Sequence, residues 1–134
     1  MKKQNQQEQQ ELIFRLSMIE QQANQLQQQI QAVEQGIVEL SSLSLGLDEL
    51  KGSRGKEIKA PVGRGIFVDA KVLSEDLTVD VGGKNFVKKS IDETKSMIDE
   101  QVGKLQEIKL ELNNNLEKLG MEMNKLVSGA QGEE

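Results

Sequence analysis

The chain contains no cysteine, histidine, tryptophan or tyrosine, and its three phenylalanines are its only aromatic residues. Without cysteine the fold has neither disulfides nor thiolate-bound metal, a composition compatible with the cytosol. Without histidine, cysteine or tyrosine, acid–base or nucleophilic chemistry would fall to carboxylates and lysines. The carboxylates recur at outward heptad positions, where a solvated face is their ordinary role. Hydrophobic residues make up 36% of 134 and aromatics 2%, which leaves little material for a large compact core. No run nears the roughly 20 apolar residues of a membrane span, and the opening MKKQNQQEQQ lacks the apolar centre of a signal peptide. The net charge is −5, and basic clusters such as Lys2-Lys3 and Lys88-Lys89 are short. That balance argues against nucleic acid or an anionic membrane as the main partner. A soluble, cytoplasmic, non-enzymatic protein without cofactor or metal is expected.

Glycine-containing loops could suggest phosphate binding, but their spacing does not. Gly83-Lys84 lacks the glycine five residues before Gly83, and Gly63-Arg64-Gly65 lacks the third glycine of a dinucleotide fingerprint. Turn glycines are the better account. The dispersed Asp and Glu show no calcium-loop spacing either.

What the sequence does contain is periodicity. Leu12, Leu16, Ile19, Ala23, Leu26, Ile30, Val33, Ile37, Leu40, Ser44 and Leu47 follow one another in alternating steps of four and three. Sustained over five heptads, this spacing marks a coiled-coil helix, because a repeat averaging 3.5 keeps one seam turned to a partner helix. At about 1.5 Å per residue the helix would be roughly 70 Å long. A second seam runs through Ile91, Lys95, Ile98, Val102, Leu105, Lys109, Leu112, Leu116, Leu119, Met123 and Leu126, with both lysines at a positions. Polar a residues cost stability but help fix register. Ser90 followed by Glu93 is a capping-box pattern that opens this second helix.

Between the seams, residues 57–88 alternate with a period of two. Four short strands are expected, turning at Gly63-Arg64-Gly65, near Glu75-Asp76 and at Gly82-Gly83. Pro61 places its strand at an edge or a bulge. The expected divisions are a coiled-coil helix over 1–52, two hairpins over 53–89, a returning coiled-coil helix over 90–128 and a disordered tail over 129–134. The fold class is mainly α: a long antiparallel two-helix coiled coil with two central β-hairpins. Pairing in which residue numbers sum to about 135 sets Ile37 opposite Ile98, Val33 opposite Val102, Leu16 opposite Leu119 and Leu12 opposite Met123. A one-heptad slip, summing to about 142, serves nearly as well. The open hairpins need other subunits to cover their edges, as strands that complete a barrel or a stack.

Two groups of apolar residues off the seam stand out. Val38, Leu43, Leu45, Leu50 and Met97 are expected to pack where helices meet strands. Ile13, Phe14, Met18, Met121 and Val127 would be beyond the sheet's reach and form a binding surface, with packing against another subunit or frayed ends as the alternative. Gly36 and Gly103, each mid-helix, mark either a flexing point or tolerated surface glycines.

The order of heptad helix, APVGRGIFVDAKVL, LTVDVGGKNFVKKS and returning heptad helix resembles a prefoldin subunit of the archaeal alpha class over nearly the whole chain. The chain departs from the family's common pattern in reading Ala60-Pro61-Val62-Gly63, and in carrying Phe86 and Lys88 after the second glycine turn. The resemblance implies an ATP-independent chaperone, a hexamer of two alpha and four beta subunits joined through a β-barrel platform. Such an assembly would capture unfolded client proteins at coiled-coil tips and pass them to a group II chaperonin. Client-binding positions would be Leu12, Ile13, Phe14, Leu16, Met121, Met123, Leu126 and Val127. Subunit-interface positions would be Ile58, Val62, Ile66, Val68, Leu77, Val79, Val81 and Phe86. A structural adaptor joining specific native partners is the alternative function.

Overall fold

A computed structural model describes residues 2–132. In chain order it contains α1 (Lys2–Asp48), β1 (Glu57–Gly63), β2 (Ile66–Lys71), β3 (Leu77–Asp80), β4 (Phe86–Lys89) and α2 (Ile91–Gly132). The residues group into two compact units. One holds α1 as far as Gly36 with α2 from Leu105 onward, and the other is Ile37–Lys104.

Burial follows the heptad repeat. Every α1 seam position from Leu12 to Leu47 is buried or half-buried, and among the described side chains of α1 only Gly36 joins them from outside the seam. The α2 seam from Ile91 to Leu126 is likewise covered throughout, Lys95 and Lys109 included. A strip of this width is what two helices can hide from water between them.

The helices pair antiparallel, and the register is the slipped one. Asp48 meets Lys95 in one unit, while Glu34 meets Lys109 and Gly36 meets Leu105 in the other, so paired numbers add to between 141 and 143. The pairing of Ile37 with Ile98 is therefore corrected by one heptad, as are the other pairings that sum to about 135. This register sets Gly36 beside Leu105, where a Cβ would stand 3.4 Å from Leu105 Cδ1, an ordinary contact that does not demand glycine. A Cβ on Gly103 would meet open space.

In the unit Ile37–Lys104, Leu47, Ile91 and Ile98 form a buried cluster that Leu40, Leu50, Leu77 and Val102 pack against. The end of α1 is tied to the start of α2 by charge. Lys95 Nζ donates to Asp48 Oδ1 at 2.6 Å, and Lys51 Nζ lies 3.0 Å from Asp92 Oδ1 and 3.6 Å from Asp48 Oδ1. After Asp48 the chain tightens into three-residue turns, and Gly52 enters the left-handed region at φ 75. The Gly52 amide donates to the Glu75 carboxylate. Ser90 caps α2 by accepting the Glu93 amide at 3.1 Å, with Asp92 and Glu93 in the first turn where the helix dipole favours them.

The four expected strands make two separate hairpins, β1–β2 and β3–β4. Arg64 and Gly65 both have positive φ, as do Gly83 and Lys84, so each hairpin closes through a turn of the primed kind that matches strand twist. Pro61 pairs with Phe67 and Gly63 with Ile66, which leaves Val62 as a bulge next to the proline.

Two expectations about packing and termini are corrected. Val38, Leu43 and Leu45 stay exposed, while Leu50 packs on the cluster and Met97 is half-buried. The helix also runs past residue 128 to Gly132, where a disordered tail was expected, and residues 133–134 lie outside the described residues. No proline follows Ser128, and a single glycine such as Gly129 costs a helix only about 1 kcal/mol.

Ile98 retains 2% exposure, so Ile98→Ala should destabilise the chain by about 2–5 kcal/mol in urea unfolding. The hydrogen bond from Lys95, aided by the Lys51 charge, lowers the Asp48 carboxyl below its ordinary 3.8. Its contribution is thus complete above the ordinary value and lost as pH falls through the lowered one. The gap in unfolding temperature between wild type and Asp48→Asn should hold from pH 7 to about pH 4.5 and close below it.

Candidate functional site

Two surfaces carry apolar side chains that the chain itself leaves uncovered. The first lies in the unit that holds the two chain ends. On α1, Ile13 is 66% and Phe14 65% exposed, with Met18 also open; on α2, Met121 and Val127 are exposed. The cause is heptad position. Phe14 and Met121 fall at f, the slot turned furthest from the seam, and Ile13 and Val127 at e, on its flank.

The eight side chains expected to bind clients are thus divided. Ile13, Phe14, Met121 and Val127 are free to contact a ligand. Leu12, Leu16, Met123 and Leu126 are half-buried seam residues that hold the helices together and show only an edge. Met18 belongs with the exposed group, and its c position off the seam was the signal for it.

Two open hollows mark the same stretch. Arg15, Met18, Ile19 and Gln22 of α1 with Glu122 and Leu126 of α2 line one of about 260 Å³. Gln7, Gln10, Glu11, Phe14 and Arg15 line another of about 440 Å³. Both mix apolar side chains with charged and amide ones, and the long flexible side chains among them can rearrange around varied contacts.

The second surface is on the hairpins. Of the expected interface positions, Ile58, Val62, Ile66, Val68, Val81 and Phe86 are exposed. Leu77 is not available in the same way, since it packs on the Leu47–Ile91–Ile98 cluster, and Val79 is half-buried. Strand pairing explains the split. Val79 pairs with Val87 and Leu77 with Lys89, one face of the second hairpin, whereas Phe86 pairs with Asp80 on the other. Phe67, Leu73 and Val87 are also exposed and were missed. Phe67 sits opposite Pro61, on the face away from Ala60 and Val68, and its apolar type alone was the available clue.

Ile108 and Leu110 on α2 are exposed apolar residues that no seam or strand pattern flags. Among the described residues no cluster of acidic side chains suits a metal ion, no helix is long and apolar enough to cross a membrane, and no buried side-chain polar atom lacks a hydrogen-bond partner.

Comparison with known proteins is consistent across three kinds of match. The family model described as "Prefoldin subunit" matches residues 19–133. A prefoldin subunit alpha of Methanobrevibacter smithii is 31% identical over 81% of this chain and 70% of its own length. That of Thermofilum pendens is 31% identical over 77% and 81%. Against the subunit of Methanosphaera stadtmanae, 26% identical, the match spans 66% of this chain and 64% of the relative. The filamentous prefoldin of Methanocaldococcus jannaschii, solved by cryo-electron microscopy, shares the fold with a TM-score of 0.78. Its identity is 23%, with 85% of this chain and 96% of that one covered.

The division between exposed and seam residues is measurable. Ile13→Ser with Phe14→Ser should leave unfolding stability within about 0.5 kcal/mol of wild type. Ile19→Ala, at a buried seam position, should cost about 2–5 kcal/mol in the same urea titration.

Proposed function

Since the chain belongs to the prefoldin family, as an alpha subunit of the archaeal type, we propose that it holds non-native proteins without ATP and delivers them to a group II chaperonin. Prefoldins are chaperones that assemble from several subunits, and the family is not one of enzymes. The observation that carries the client-binding reading is the exposure of Ile13 and Phe14 on α1 with Met121 and Val127 on α2. An unfolded chain offers scattered apolar side chains in no fixed order, and a surface of separate apolar residues between polar ones can take many of them weakly at once. Leu12, Leu16, Met123 and Leu126 stand behind that surface and keep it in place.

The hairpins, residues 53–89, serve as the assembly platform. They join two alpha and four beta subunits through the exposed Ile58, Val62, Ile66, Val68, Val81 and Phe86, with Val79 at the margin. Unpaired strand edges beside exposed apolar residues support that role, because such edges are ordinarily covered by further strands. Cytoplasmic residence fits the absence of cysteine.

The test uses the hexamer reconstituted with a prefoldin beta subunit and checked by native mass. Ile13→Ser, Phe14→Ser, Met121→Ser and Val127→Ser together should leave the mass unchanged while removing most of the suppression of aggregation of a chemically denatured protein. Trimming the chain to residues 19–116 should keep the number of subunits in the assembly and remove the same activity. Undiminished holding in either variant would remove the client-binding reading. Saturable binding of one native protein, with indifference to unfolded ones, would point to an adaptor instead.

A further inference from the structure

We propose that Lys95 and Lys109, the two lysines within the α2 seam, select the register in which the helices pair. The apolar repeat cannot do so alone. Sliding one helix by a heptad keeps a residues against d residues in every layer and leaves two lysine layers either way. The lysines stand opposite Leu47 and Val33 in the observed register, and would stand opposite Leu40 and Leu26 in the slipped one.

The difference lies one residue further along α1. A seam lysine lays its carbon stem on the apolar layer and carries its ammonium to the seam's edge, where it meets the residue following the one it faces. In the observed register those residues are acids: Lys95 Nζ is 2.6 Å from Asp48 Oδ1, and Lys109 Nζ is 3.3 Å from Glu34 Oε1. The two lysines are two heptads apart and so are the two acids. A slip of one heptad toward the start of α1 replaces the acids with Ser41 and Gln27. A slip the other way sets Lys109 against Ser41 and carries Lys95 past Asp48, where α1 ends.

Both lysines are largely covered, with side-chain exposures of 26% and 38%. A covered ammonium without its carboxylate is costly, so the slipped states are penalised twice over while the observed state is not. Leucine at these positions would hold the helices more tightly but would leave the registers equivalent, which is the known trade of a polar a residue. The register matters for the exposed surface: as paired, Val127 comes level with Arg15 beside Phe14, whereas the slip to about 135 would bring Met121 level with Phe14.

The natural chain has no cysteine, so introduced pairs report register without background. In the full-length chain, Leu26→Cys with Leu116→Cys reads the observed pairing, and Ile19→Cys with Leu116→Cys reads the one-heptad slip. Mild oxidation of the otherwise wild-type chain should close the first pair and not the second. In a Lys95→Leu, Lys109→Leu background the second pair should close as well, with an unfolding temperature equal to wild type or higher. A second variant keeps both lysines and moves the acids: Glu34→Gln, Asp48→Ser, Gln27→Glu and Ser41→Asp. There the pattern should reverse. Retention of the wild-type pattern in either background would overturn the proposal and assign the register to the Leu47–Ile91–Ile98 cluster.

Discussion

Two helices in contact can hide only one strip of each other. That limit governs the rest of the molecule. The seam takes up more than half of the apolar residues of both helices in steps of four and three, and whatever apolar residue falls outside it stays in water unless a strand or another chain reaches it. Buried hydrophobic side chains are accordingly few: Ile19, Ile30, Leu47, Ile91 and Ile98 among the described residues. A single chain of this design is stable along its coil and unfinished elsewhere. Its two unfinished places are the apolar group around Phe14 and the outer faces of the hairpins, and the proposed function assigns a partner to each.

The sequence was legible where one physical signal acted alone. The seam was readable residue by residue, because a period of 3.5 has no competing explanation over five heptads. The turns were equally readable from Gly63, Gly65, Gly82 and Gly83, with Arg64 and Lys84 taking positive φ beside them. The strand order followed from these, and the bulge followed from Pro61.

Where two solutions shared one pattern, the sequence alone did not separate them. A heptad repeat is unchanged by a shift of seven, so the seam leaves the register open, and the contacts of Lys95 with Asp48 and of Lys109 with Glu34 identify it. Val38, Leu43 and Leu45 are apolar and close in sequence to the strands, yet proximity along the chain does not determine which way a helix face turns. The resemblance implies one interface set that holds Phe86 together with Leu77 and Val79. The pairing of Asp80 with Phe86 shows Phe86 to be on the opposite face from the other two. For the apolar group around Phe14, heptad letter separates what residue type does not: the residues at e and f are exposed, and those at a and d are covered.

The two hairpins differ in what supports them. β3 contributes Leu77 to the cluster of Leu47, Ile91 and Ile98, so the second hairpin is anchored by its own chain. Neither β1 nor β2 contributes a residue to that cluster. In kinetic terms, docking of the second hairpin is a first-order event, complete as soon as one chain has folded its helices. Under the proposed platform role, burial of the first hairpin's apolar face is at least second order, waiting on collision with another subunit. Its rate must then rise with the supply of partners, and a cell that makes this chain in excess would accumulate molecules whose most adhesive face has nothing to close on.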